Sequence, residues 1–106
     1  MRVIERKMNK AISNRYDWKS ANTRVEYEAG NEISRVFLYG NLIAEIGEGF
    51  LKLYDGGHQT TTTKSRLNAI LSENGCGDKK VYQKDFQWKI KHDGIVEDFV
   101  SGMILR

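Results

Sequence analysis

Hydrophobic positions along this chain change period three times, from helical to alternating, back to helical, and then to alternation again. Ile4, Met8, Ile12 and Tyr16 recur every fourth residue, with Arg6, Lys7, Lys10 and Arg15 off that stripe. The spacing predicts a short basic amphipathic helix, or a tail that orders only on contact, because a helix this short is marginal alone. From Asn22 to Glu28 the chain alternates strictly, Thr23, Val25 and Tyr27 pointing one way and Arg24, Glu26 and Glu28 the other. That is the pattern of a half-buried strand. Gly30-Asn31 turns the chain into a second strand, Ile33 to Tyr39, rich in β-branched and aromatic residues. Gly40-Asn41 is a two-residue hairpin signal, since both residues tolerate positive φ. Leu42 to Ile46 pairs back, Gly47-Glu48-Gly49 turns again, and Phe50 to Tyr54 completes a meander.

The helical period returns after Asp55-Gly56-Gly57. Thr60 to Thr63 offer capping hydroxyls for a helix over 62–74, in which Leu67, Ile70, Leu71 and Asn74 share a face. Lys64, Arg66 and Asn68 lie off that face, and Gly75 is placed to end the helix. Three strand-like runs follow: Val81–Lys84, Phe86–Lys91 and Ile95–Val100, with Met103–Leu105 read as an extension of the last. Phe86, Trp88 and Ile90 alternate with Gln87, Lys89 and Lys91, so the two aromatics are expected on the helix and the lysines outside. His92-Asp93-Gly94 supplies another turn. The expected fold class is α+β: an antiparallel meander with one central helix packed on it and a short helix or tail in front. Residues 1–21 form a basic N-terminal segment, and 22–106 a single α+β domain.

Composition narrows the setting. The chain of 106 residues is one ordinary domain, 40% hydrophobic, with ten glycines and no proline to make its turns. No apolar run approaches the ~20 residues of a membrane span, so no membrane contact is expected. The first ten residues lack the apolar centre of a secretion signal. Cys76 is the single cysteine and has no internal disulfide partner, which together place the protein in the cytoplasm.

The formal net charge is +3, unevenly spread. Residues 1–24 hold seven cations against Glu5 and Asp17, and residues 79–91 hold five lysines against Asp85, while Glu26 to Glu48 is acidic. Segregation of this kind attracts polyanions; the plainer reading is a solvated surface of mixed charge. The candidate anion-contacting residues are Arg6, Lys7, Lys10, Arg15, Lys64, Arg66, Lys89 and Lys91. The glycine loop ahead of the 62–74 helix is a second place where free backbone N–H groups meet an anion, although its spacing is not that of a nucleotide-binding loop.

Catalytic chemistry is hard to find. His58, His92 and Cys76 lack metal-ligand spacing, and Cys76 follows the negative end of a helix, which disfavours a thiolate. Glu97 and Asp98 fall on opposite sides of a strand. Nucleophile, base and orienting group do not occur together, so neither an enzyme nor a cofactor is expected.

Leu38-Tyr39-Gly40-Asn41-Leu42-Ile43-Ala44, then Gly57 and Thr62 to Leu71, Val81 to Trp88 and Ser101-Gly102-Met103, resemble small accessory proteins of tailed bacteriophages, including phages of marine bacteria and cyanobacteria. The resemblance implies a non-enzymatic protein acting inside an infected bacterium. It carries over no activity, cofactor or site residue. Two partner classes stay open. Nucleic acid would meet the basic residues, whereas a host protein or a second copy would meet the sheet edges and the exposed aromatics Tyr16, Trp18 and Tyr39.

Overall fold

A computed structural model describes residues 1–74 and 78–105. The chain runs α1 (Val3–Asn14), β1 (Trp18–Ser20), β2 (Thr23–Glu28), β3 (Ile33–Leu38), β4 (Asn41–Gly47) and β5 (Phe50–Leu53). It continues with α2 (Thr61–Asn74), β6 (Lys80–Lys84), β7 (Gln87–His92), β8 (Ile95–Asp98) and β9 (Met103–Leu105). The class is α+β, as the periodicities indicate. Gly75 and Cys76 lie outside the described residues.

The first stripe forms a helix, not a loose tail. Met8, Ala11 and Ile12 are buried in the same core as the sheet. Tyr16 falls past the helix end: Arg15 takes a left-handed conformation (φ 57°, ψ 54°) and its N–H reaches back to Ile12 O at 3.3 Å. Tyr16 is left exposed. β1 is three residues long, too short for alternation to announce, and Trp18 on it packs half-buried against the core. The expectation that Trp18 is an exposed anchor is therefore corrected. Both α1 and β1 share the core and sheet of the rest of the chain.

The large sheet has the order β1-β2-β3-β4-β5-β9, antiparallel throughout. Val25, Val36, Ala44 and Leu53 form a cross-strand row on its buried face. The β3–β4 register shifts at Val36/Phe37, which leaves Ile43 as the extra residue and buries both Ile43 and Ala44. The β3–β4 turn is Tyr39-Gly40 (φ 51° and 78°), one residue earlier than the glycine-asparagine signal, because Asn41 already pairs with Leu38. β9 corrects a further expectation. It does not extend β8 but crosses to β5, pairing Met103 with Leu53 and Leu105 with Leu51. Gly102, at φ 91°, makes the turn and donates its N–H to Leu53 O at 2.7 Å.

The second layer holds both helices and the three-stranded sheet β6-β7-β8. Thr60 caps α2, its Oγ1 accepting the Thr63 N–H at 3.1 Å. The buried arc of α2 is wider than one stripe, taking in Thr63, Arg66, Leu67, Ala69, Ile70 and Leu71. It is wide because α1 lies along one flank and β6 along the other. Glu5 meets Ser65 and Arg66, and Asn9 Nδ2 donates to Ala69 O at 3.1 Å, so the two helices run in the same direction. On the other flank, Asn68 accepts the Val81 N–H (2.7 Å) and donates to the Val81 carbonyl (2.9 Å). Its side-chain amide thus takes the place of a neighbouring strand. Val81, Trp88, Ile90 and Phe99 close the core at this end, with Trp88 and Phe99 edge to face at 5.4 Å.

Arg66 overturns the expectation of an exposed cation. It is buried, 3% exposed, and its Nη1 donates to Glu5 Oε2 at 2.8 Å. Its Nε donates to Thr23 Oγ1 at 3.0 Å and its Nη2 to Asn22 Oδ1 at 3.2 Å. Glu5 also accepts from the Ser65 hydroxyl at 2.6 Å and from the Arg2 backbone N–H at 3.2 Å. Burial pushes the Glu5 carboxyl up, but the hydrogen bonds from Ser65 and Arg66 outweigh it and hold the group below the ordinary glutamate range.

These contacts set the outcome of three substitutions. Arg66→Ala leaves the Glu5 carboxylate buried without its cation and is expected to cost about 3–5 kcal/mol in urea denaturation. Because the folded pKa of Glu5 is depressed, its contribution is present above the unfolded value of about 4.3 and disappears as pH falls through the folded value. Glu5→Gln should remove that acid-sensitive part of the stability curve. Asn68→Ala should cost about 1–3 kcal/mol and expose the Val81 amide to hydrogen exchange.

Candidate nucleic-acid interface

The structure separates the expected cations into engaged and free. Arg66 is internal. Arg15 lies 3.8 Å from Glu32, and Lys89 is bonded to Asp98, which raises the lysine's pKa. Arg6, Lys7 and Lys10 are exposed along α1, and no ion pair holds them among the described residues. Lys64 is half-buried in the first turns of α2, and Lys91 is exposed on β7. The glycine loop offers an anion little. The Gly57 N–H is held by the Asp55 carboxylate at 2.8 Å, and the His58 N–H by the Asp55 carbonyl at 3.3 Å.

Register brings lysines together that the linear reading left apart. Lys80 stands directly opposite Lys91, Tyr82 opposite Lys89, and Lys84 opposite Gln87. By alternation these six side chains share the outer face of the small sheet, while Val81, Trp88 and Ile90 point into the core. Four lysines therefore surround one half-buried tyrosine, and Asp98 beside Lys89 is the acid paired into the face. Lys80, Tyr82 and Lys84 were missed as candidates; their every-second spacing within a short strand was the available signal.

The outer face of the large sheet makes the contrast. One row across it reads Glu26, Arg35, Glu45, Lys52, each charge opposite its counter-charge. Arg35 donates to Glu45 at 3.0 Å and to Glu28 at 3.3 Å, and the Tyr54 hydroxyl donates to Glu45 at 2.6 Å. The Tyr54 hydrogen bond, followed by Arg35, holds the Glu45 carboxyl below its ordinary range despite burial. Burial and Glu45 together raise the Tyr54 hydroxyl. That face is neutralised within itself. On the small sheet a like-charged pair faces across the strands, an arrangement that opposes folding by about 0.2–1 kcal/mol.

The hairpin carrying these lysines ends in an unusual turn. Three two-residue hairpin turns have both residues at positive φ: Tyr39-Gly40, Asp85-Phe86 and Asp93-Gly94. Two place glycine second, where it meets no steric penalty. The β6–β7 turn places Phe86 there, at φ 64°. Phe86 is 95% exposed, which corrects the expectation that it packs with Trp88. The alternation that buries Trp88 and Ile90 stops one residue short, at the turn.

Depressions of about 370 and 260 Å³ flank Tyr39, lined by Lys19, Asn22 and Arg24 on one side and by Asp55, His58 and Thr60 on the other. Neither brings a nucleophile to a base. Among the described residues no three His, Cys, Asp or Glu side chains are grouped to hold a metal ion, and no helix is long and apolar enough to cross a membrane. In comparisons with known proteins, the model of the family described as Kyanoviridae Gp96 protein matches residues 1–106. No curated protein and no solved structure matches the chain.

Phe86→Gly relieves the left-handed phenylalanine and is expected to raise stability by up to about 1 kcal/mol, or roughly 4 °C in Tm, in a thermal melt.

Proposed function

We propose that this chain, which belongs to the Kyanoviridae Gp96 family of cyanophage proteins, is a non-enzymatic nucleic-acid-binding protein of the infected cell's cytoplasm. The observation that carries this reading is the Lys80–Lys91 pair, opposed without an intervening acid on the face that also holds Lys84 and Lys89. Lysines arranged this way repel one another in the free protein. A phosphate backbone laid across them converts the repulsion into attraction and releases condensed counterions. Tyr82 at the centre offers a ring or a hydroxyl to the sugar and base. Arg6, Lys7 and Lys10 on α1, unpaired among the described residues, form a second strip of cations for phosphate contact outside this sheet.

A second reading rests on β8. All four of its residues are exposed, including the β-branched Ile95 and Val96, and no strand pairs its outer edge among the described residues. An open edge of this kind accepts an added strand from a host protein.

Fluorescence anisotropy with labelled single- and double-stranded DNA and RNA, at low and physiological salt, separates the two. Nucleic-acid binding is expected to weaken steeply with salt. Lys80→Gln with Lys91→Gln should lower the salt slope by about 2, and charge reversal at both should reduce affinity at least about tenfold. No binding at low salt, or unchanged binding after charge reversal, sinks the first reading and leaves the β8 edge to be tested by capture of a protein partner.

A further inference from the structure

We infer that Phe86 stacks on unpaired bases, so that the interface prefers single-stranded nucleic acid to duplex. This rests on the reading of the lysine face above and names its substrate class.

Three independent features converge on the side chain. Its ring is 95% exposed, the most exposed of the large hydrophobic side chains among the described residues. It occupies a left-handed position that the two comparable turns give to glycine, so the backbone bears a strain that glycine would remove. It also sits two residues past Lys84, after Asp85, at the end of the hairpin whose outer face holds Lys80, Tyr82, Lys89 and Lys91. An apolar ring offered to water at the end of a cationic track has no folding role. The packing of this hairpin on the core is carried by Val81, Trp88 and Ile90.

The chemistry that rewards such a ring is stacking. A base held in a duplex is covered on both faces by its neighbours, whereas a base in a single strand presents an open face to an aromatic side chain. The lysines would carry the phosphates and leave the neighbouring base to lie on the ring. A lipid surface is the competing ligand for an exposed aromatic beside lysines. Asp85 argues against it: it shares the two-residue turn with Phe86, is itself exposed, and its carboxylate would have to approach hydrocarbon with the ring.

The test measures wild type, Phe86→Ala and Phe86→Gly against an oligothymidine and a duplex of equal length at one salt concentration. The double charge reversal at Lys80 and Lys91 serves as the control on the underlying reading. Wild type is expected to favour the single strand. Both Phe86 variants should lose about 5- to 100-fold of that affinity while duplex affinity and salt slope stay unchanged. Phe86→Trp should show its exposed indole emission quenched on binding the single strand. Phe86→Gly keeps the result interpretable, because it is expected to fold at least as stably as wild type. Single-strand affinity unchanged in the Phe86 variants but lost on charge reversal overturns the stacking inference alone. Equal losses for single strand and duplex overturn it also. Absence of any nucleic-acid binding, with capture by phosphatidylcholine–phosphatidylserine vesicles, overturns both the inference and the reading beneath it.

Discussion

The ion pair between Glu5 and Arg66 is the contact on which the arrangement of the second layer depends. Two charges removed from water return little net stability, yet each is costly to leave alone. The pair is therefore a condition on geometry: α1, α2 and the start of β2 must meet where Glu5, Ser65, Arg66, Asn22 and Thr23 satisfy one another. Apolar contacts such as Met8 and Leu67 would tolerate a helix that slid or rotated. A guanidinium bonded to three acceptors does not. The parallel course of the two helices is set at this point and continued by Asn9 on the Ala69 carbonyl.

With the helices placed, the two sheets divide the remaining labour. The large sheet supplies most of the apolar rows and balances its exposed charges strand by strand. The small sheet hangs from α2 through the amide of Asn68 and through Val81, Trp88 and Ile90. Its outer face is free to carry charge that the fold itself does not want. The large sheet pairs its charges strand by strand, whereas on the small sheet Lys80 faces Lys91 and, among the described residues, Lys89 alone of the four lysines is paired with an acid.

Much of this was legible in the chain. Strict alternation located β2 and β7, β-branched and aromatic residues located β3, and the threonine run with Leu67, Ile70 and Leu71 located α2, because burial on one side imposes a pattern that local sequence must keep. The errors share a different cause. Arg66 reads as a surface cation because its partner Glu5 is 61 residues away, and β9 reads as part of β8 because pairing across the molecule leaves no local mark. Tyr39-Gly40 replaces Gly40-Asn41 because Asn41 is already paired with Leu38 in the ladder. Phe86 was assigned to the core by extending a valid alternation one residue into a turn. The cationic candidates were the least legible: only pairing register shows that Lys80 faces Lys91, whereas Arg15 and Lys89 are already engaged.

The amide of Asn68 has a topological consequence. By occupying both hydrogen-bonding groups of Val81, it blocks the β6 edge at that residue with a side chain and not with a strand. A sheet with two open margins can propagate without limit, each new copy presenting the edge that the next one needs. Among the described residues, β8 is the margin that no strand pairs. A second copy pairing through β8 would leave an asparagine-capped Val81 at each end of the joined sheet. One polar residue on a helix thus closes the Val81 position of β6 to an added strand, a job that elsewhere in this fold falls to a paired strand.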